Sequence, residues 1–225
     1  MPKLDSELDK LKNKNEKSEN DDNDDDSDEE LEDFEDNPDE EIEEEIENEE
    51  SEFELIPIFA SSFMTITASG EFLQTLVYDY YEKTGKYHKK IQTDRDFFLN
   101  EINDITQNMQ GFMDKCQNKV NGKSVHPSVI ESDIDFKNNT LPYFSWIIKF
   151  KGELQPGLNT YESKIDEEEL EYDISSIYLF EESLTPETVD TMLHNEVSKE
   201  KHMVKYWGNR GEMVGPNEII RFKKE

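Results

Sequence analysis

Residues able to do acid–base, nucleophilic or metal chemistry are few outside the carboxylates. Histidine occurs at His88, His126, His194 and His202, and cysteine at Cys116 alone. No two of these histidines stand four apart, so the two-ligand helical face of an H-E-x-x-H metallohydrolase is absent. The nucleophile turn G-x-S-x-G and the phosphate-binding patterns G-x-x-x-x-G-K-[ST] and G-x-G-x-x-G are absent as well. A single cysteine supplies no disulfide within the chain and no multi-cysteine zinc site. Cys116 itself falls on an apolar helical seam, where a thiol serves as a small buried apolar group. The densest acids are Asp166-Glu167-Glu168-Glu169, with Glu162, Glu171 and Asp173 nearby. Hard cations want clustered oxygen ligands, but this run lacks the spaced loop of a calcium site. Consecutive acids of this kind read as a solvated face or a protected strand edge. No catalytic residue, metal site or cofactor is therefore nominated. The alternative these groups leave open is a metal-dependent hydrolase built on His202, Glu212 and the acids of 162–173.

One cluster has binding rather than catalytic character. Lys83, Lys86, Lys89 and Lys90 interleave with Tyr80, Tyr81 and Tyr87, the pattern of a small anion-binding patch. The formal net charge of −32 argues against nucleic acid, because an acidic protein has little counterion release to exploit. Cations clustered at a helix end have a simpler reading, as complements of the helix dipole.

The elements that must position these residues follow from periodicity. Phe72, Leu73, Leu76, Val77 and Tyr80 form a stripe with three–four spacing, which predicts a helix over about 70–84 stopped at Gly85. Thr93-Asp94-Arg95-Asp96 has the form of a helix N-cap. Phe98, Ile102, Ile105, Met109, Phe112, Cys116 and Val120 then recur at steps of three and four, an a/d seam over about 94–120 ended by Asn121-Gly122. Such a seam packs either on the chain's own core or, as a coiled coil, on a partner. In the second case Ile102, Ile105, Met109 and Phe112 are the partner-binding residues, and a homo-oligomer is one outcome.

After Pro127 the period changes from helical to two. Ile130, Ser132, Ile134 and Phe136 alternate with acids; Phe144, Trp146, Ile148 and Phe150 form one aromatic face. Further strands are predicted through Leu170–Phe180, Met203–Trp207 and Glu218–Phe222. Residues 185–200 fit both periods; Thr185-Pro186 resembles a helix start, so a short helix is the reading adopted. Several short strands at near-regular spacing point to an antiparallel sandwich.

Charge divides the chain. Residues 1–52 hold 27 of the 56 acids and 5 of the 24 bases. Such a stretch buries too little apolar surface to offset its ordering entropy, and its charges repel. The organisation expected is a disordered acidic tail at 1–52, a helical segment at 53–126 and a β-sandwich-like domain at 127–225. The fold class expected is α+β, two helices followed by a small antiparallel β-sandwich. The longest apolar run, Leu55–Ile66, contains Pro57 and falls short of the roughly 20 residues of a membrane span. No signal-peptide core opens the sequence. A cytoplasmic protein without membrane contact is expected. The function expected is that of a non-enzymatic protein-interaction or adaptor protein with an acidic arm and a protein partner, basic if the arm takes part. An acidic-tailed chaperone for basic proteins is the further alternative.

Overall fold

The computed structural model describes residues 53–198, 200 and 202–225. The tail expected over 1–52 lies outside them. The described chain is mostly β, with two helices in its middle. A hairpin of β1 (Ile56–Ile66) and β2 (Glu71–Tyr81) leads into α1 (Lys86–Thr93) and α2 (Arg95–Lys115). The short hairpin β3 (Gln117–Val120) and β4 (Lys123–Val125) follows. A long hairpin, β5 (Ser128–Asn138) and β6 (Leu141–Lys151), comes next. The last part comprises β7 (Gly157–Lys164), β8 (Glu168–Glu169), β9 (Asp173–Phe180) and β10 (Leu184–Asp190). It ends with β11 (His194–Val197), β12 (Met203–Gly208), β13 (Met213–Val214) and β14 (Asn217–Lys224).

Most strands form two sheets. The large one has seven strands in the order β11-β12-β9-β1-β2-β6-β5, and the small one five in the order β10-β14-β7-β3-β4. Strands β8 and β13 pair as a separate ribbon. All neighbours run antiparallel except β1 and β9, which are parallel from Phe59↔Asp173 to Ile66↔Phe180. The large sheet thus draws strands from both sides of residue 127, and the helices do not form a block that precedes the β structure.

The α+β class expected, two helices followed by a small antiparallel β-sandwich, is overturned: the chain is mostly β, and its two helices lie between strands of the same large sheet. Several elements change with it. The helix over 70–84 is strand β2. Its apolar residues lie on both faces: Phe72, Leu76, Tyr78 and Tyr80 are buried, while Leu73 and Val77 occupy the opposite face. A strand apolar on both faces mimics the three–four spacing of a helix. The β-branched and aromatic content of Thr75, Val77, Tyr78, Tyr80 and Tyr81 favours the extended form once β1 and β6 supply pairing on either side. The short helix read over 185–200 is replaced by β10 and β11, so the alternation of Val189 was the true period there. The helix about 94–120 exists but ends at Lys115, and β3 takes up Gln117–Val120. Asp94 rather than Thr93 caps it, its Oδ1 accepting the Phe97 N–H at 3.0 Å. Residues 86–93, between the two helices expected, form α1, started by Gly85 in the left-handed region at φ 70°.

One face of the large sheet carries most of the core, and two different layers cover it. At one end Phe72 stacks on Phe150 at 4.6 Å, and both meet Tyr161 of β7 in the small sheet. Phe180 and Phe222 continue that contact. At the other end Tyr78, Tyr80, Phe144 and Trp146 pack edge to face or tilted, and Tyr87 of α1 joins Phe144 and Phe136. The Trp146 Nε1–H donates to the Ile105 carbonyl at 3.1 Å, which fastens α2 to the sheet. Gln110 of α2 ties down the edge of the long hairpin: it accepts from the Val129 N–H at 2.8 Å and donates to the Pro127 carbonyl at 3.1 Å.

Candidate functional site: the open sheet face and the cleft at its end

The second face of the large sheet has no layer of described residues over it. Register places its side chains in rows. One row runs Lys149, Leu73, Thr65, Leu179, Met203. The next runs Ile147, Thr75, Phe63, Ile177, Lys205. The third runs Ser145, Val77, Ser61, Ser175, Trp207, His194. Phe63 is 42% exposed, Leu73 42%, Leu179 40% and Trp207 39%, large values for apolar side chains on central strands. Contiguous apolar surface of this kind marks a contact face in soluble proteins. Ser, Thr and Lys occupy the intervening positions.

The borders are charged. On the β5 side Glu131, Asp133 and Asp135 are exposed. Lys137 and Asp79 form an ion pair at 2.6 Å, as do Lys149 and Glu71 at 2.9 Å. Lys149, through its hydrogen bond and charge, holds Glu71 below the usual carboxylate range. Once these pairs are set aside, the β5 border is left acidic.

At the far end of the face the turn between β12 and β13 builds a cleft of about 480 Å3, lined by Ile56, Pro57, Glu169, Leu170, Glu171 and Arg210. The turn is pinned from several sides. The Arg210 N–H donates to Asp173 Oδ1 at 2.9 Å, and the Gly211 N–H donates to the Leu170 carbonyl at 2.8 Å. The Leu170 N–H donates to the Glu212 carbonyl at 2.8 Å. A Cβ at Gly208 would lie 2.6 Å from Leu170 Cδ1, so glycine is what lets the turn sit against that wall. Glu212 holds the turn from outside, accepting the Asn209 N–H at 2.8 Å and meeting His194 Nε2 at 3.1 Å. The Asn209 N–H first, then His194, hold the Glu212 carboxylate below its ordinary range. His194 also stacks on Trp207 at 5.7 Å. Glu212, His194 and Trp207 thus brace the turn that bounds the cleft.

The sequence-derived site residues fall elsewhere. Ile105 and Met109 are buried in the chain's own core, and Ile102 and Phe112 pack half-buried against it. Lys83 precedes α1, while Lys86, Lys89 and Lys90 lie on it; Lys90 pairs with Asp94 at 2.9 Å. Their tyrosines do not form a stacking platform, because Tyr80 and Tyr87 are core and the Tyr87 hydroxyl donates to Glu101 at 2.9 Å. Burial pushes the Cys116 thiol up to about 11, which suits an inert side chain. Among the described residues no group of three or more His, Cys, Asp or Glu is placed to hold a metal ion. Sequence reasoning missed the open face. The available signal was the unbroken apolar runs Ile147-Ile148 and Ile177-Tyr178-Leu179-Phe180, whose strands must be apolar on both sides.

No family model and no curated protein matches the chain. A crystal structure described as a candidate protease from Parabacteroides distasonis is similar at 9% identity and a TM-score of 0.27. The match covers 76% of this chain and 40% of that one, so this chain spans less than half of its length. A likeness that slight assigns neither fold nor activity. What the geometry defines is a β-rich protein in which one apolar face of the large sheet has no layer of described residues over it. No helix among the described residues is long and apolar enough to cross a membrane.

Proposed function

We propose that the chain is a non-enzymatic interaction protein that docks a basic protein partner on the open face of the large sheet. The carrying observation is the exposure of Phe63, Leu73, Leu179 and Trp207 on neighbouring strands of one face. The acids of the β5 border and the 27 acids of residues 1–52 give the chemistry of the partner: an apolar centre with basic flanks. In such a complex the apolar rows supply affinity, while the acidic border and arm steer encounter and set its salt dependence. A reducing, cytoplasmic setting accords with a single thiol.

Phe63→Lys and Leu179→Lys test the reading, since both side chains are exposed and their loss leaves the core intact. A partner captured from native extract and then purified is expected to be basic. Its binding should weaken at least tenfold in either variant, consistent with loss of a central contact. Removal of residues 1–52 should flatten the salt dependence of association. An acidic partner, or binding indifferent to both lysine substitutions, overturns the proposal. Equal binding of many unrelated basic proteins would favour the chaperone form of the same function.

A further inference from the structure

We infer that the cleft at the end of the open face is a separate small-ligand site, for an amino-acid zwitterion, free or within a short peptide. The lining carries the argument. Ile56, Pro57 and Leu170 form an apolar wall, and Glu169 and Arg210 bring opposite charges to the same cavity. Neither the Arg210 guanidinium nor the Glu169 carboxylate has a hydrogen-bond or ion-pair partner among the described residues. Elsewhere on this surface opposite charges find each other, as in Lys137–Asp79, Lys149–Glu71 and Lys123–Glu153. Here the hydrogen bonds at Arg210 N and Gly211 N fix the turn, pairing with Met213 fixes the Glu169 backbone, and both residues line the cavity.

A ligand that satisfies both groups carries a carboxylate for the guanidinium fork and an ammonium for the Glu169 carboxylate. A short apolar body between them would lie on Ile56, Pro57 and Leu170. A simple anion would be repelled by Glu169 and Glu171, and a simple cation by Arg210. A volume of about 480 Å3 holds a single amino acid or a dipeptide and lies in the ordinary range of small-molecule sites. The groove is open, so each charge contact is screened and affinity of order 0.1–1 mM is anticipated.

The experiment is an NMR titration of the full-length chain. One arm uses leucine, methionine and phenylalanine as free amino acids; a second uses Leu-Leu and Gly-Leu; a third uses N-acetyl-leucine amide, which lacks both charges. Saturable shifts with ligands of the first or second arm, and none with the blocked compound, are expected; the arm that binds more tightly identifies the source. Arg210→Gln and Glu169→Gln should each weaken binding by about tenfold or more, the effect of deleting one charged hydrogen bond. Both residues are exposed, and an unchanged far-ultraviolet spectrum and thermal midpoint confirm that the variants fold. No saturable shift in either zwitterion arm, equal binding of the blocked compound, or full affinity in both variants overturns the inference. Since Phe63 and Leu179 do not line this cleft, their lysine variants should leave the titration unchanged, so this result and the docking of a protein partner fail independently.

Discussion

The two faces of the large sheet are built from the same strands and have opposite fates. Phe72, Tyr78, Trp146, Ile148 and Phe150 lie under the small sheet or the helices and are almost wholly buried. One residue along the same strands, Leu73, Val77 and Ile147 point to the uncovered side. Period-two geometry makes the split automatic, since neighbours on a strand face opposite ways. The two faces differ in cover and in composition: the covered one is aromatic and aliphatic, and the open one mixes Leu73, Phe63 and Leu179 with Lys149, Thr65, Thr75 and Lys205. Two dissimilar layers share the covered face, the small sheet at the Phe72 and Phe150 end and α1 and α2 at the Phe144 and Trp146 end. The open face carries its apolar side chains with no layer of described residues over them.

Substitutions should expose this asymmetry. Trp146→Ala is the strongest test on the covered side: it empties a fully buried site and removes the hydrogen bond to the Ile105 carbonyl. A loss of about 3–5 kcal/mol in denaturant unfolding is expected. Tyr161→Phe acts on the seam between the sheets, where the hydroxyl donates to Asn118 Oδ1 at 2.9 Å in a buried setting. Leaving that acceptor unpaired should cost about 1–3 kcal/mol, read by the same measurement. Gly111→Ala tests the helical part of the cover: no atom lies within 4 Å of the added Cβ, so about 0.5–1 kcal/mol of stabilisation is expected.

The next test is electrostatic. Glu218 lies on the inward side of β14 with Ile220 and Phe222, and its charge bears on Tyr161, Tyr178 and Tyr206. Burial raises its pKa above the ordinary value. The folded state then holds the proton more tightly than the unfolded state. Stability is fully present below the unfolded pKa of about 4.3 and declines as pH rises above it, toward the folded value. Glu218→Gln should flatten that decline between acid and neutral pH and leave the variant the more stable protein at pH 7. A thermal-midpoint profile against pH checks the sign.

The smallest stability effects belong to the open face. Phe63→Ser and Leu179→Ser should change unfolding free energy by no more than about 1 kcal/mol. A loss matching that of Trp146→Ala would mean the face is covered after all, and the contrast between the two sides would collapse.

Much of the chain's anatomy was legible from residue order. The long helix announced itself through Ile102, Ile105 and Met109, and the aromatic face of β6 through Phe144, Trp146, Ile148 and Phe150, because each repeats at the period of its own element. The alternations of β5, β9, β12 and β14 were visible for the same reason. β2 was not: with apolar residues on both faces its pattern satisfied the helical template as well, and only pairing with β1 and β6 resolves the ambiguity. The stretch after Leu184 failed likewise, where a local signal at Thr185-Pro186 lost to strand pairing with β14.

The sequence by itself determined local periods, the concentration of acid in residues 1–52, and the lack of any catalytic or metal-binding motif of regular spacing. All of these depend on residues close together along the chain. Which face of a strand is covered, the parallel meeting of β1 with β9, and the convergence of Ile56, Leu170 and Arg210 on one cleft depend on residues far apart along the chain. Long-range hydrogen-bond register and packing decide such juxtapositions, and no spacing within a short window encodes them.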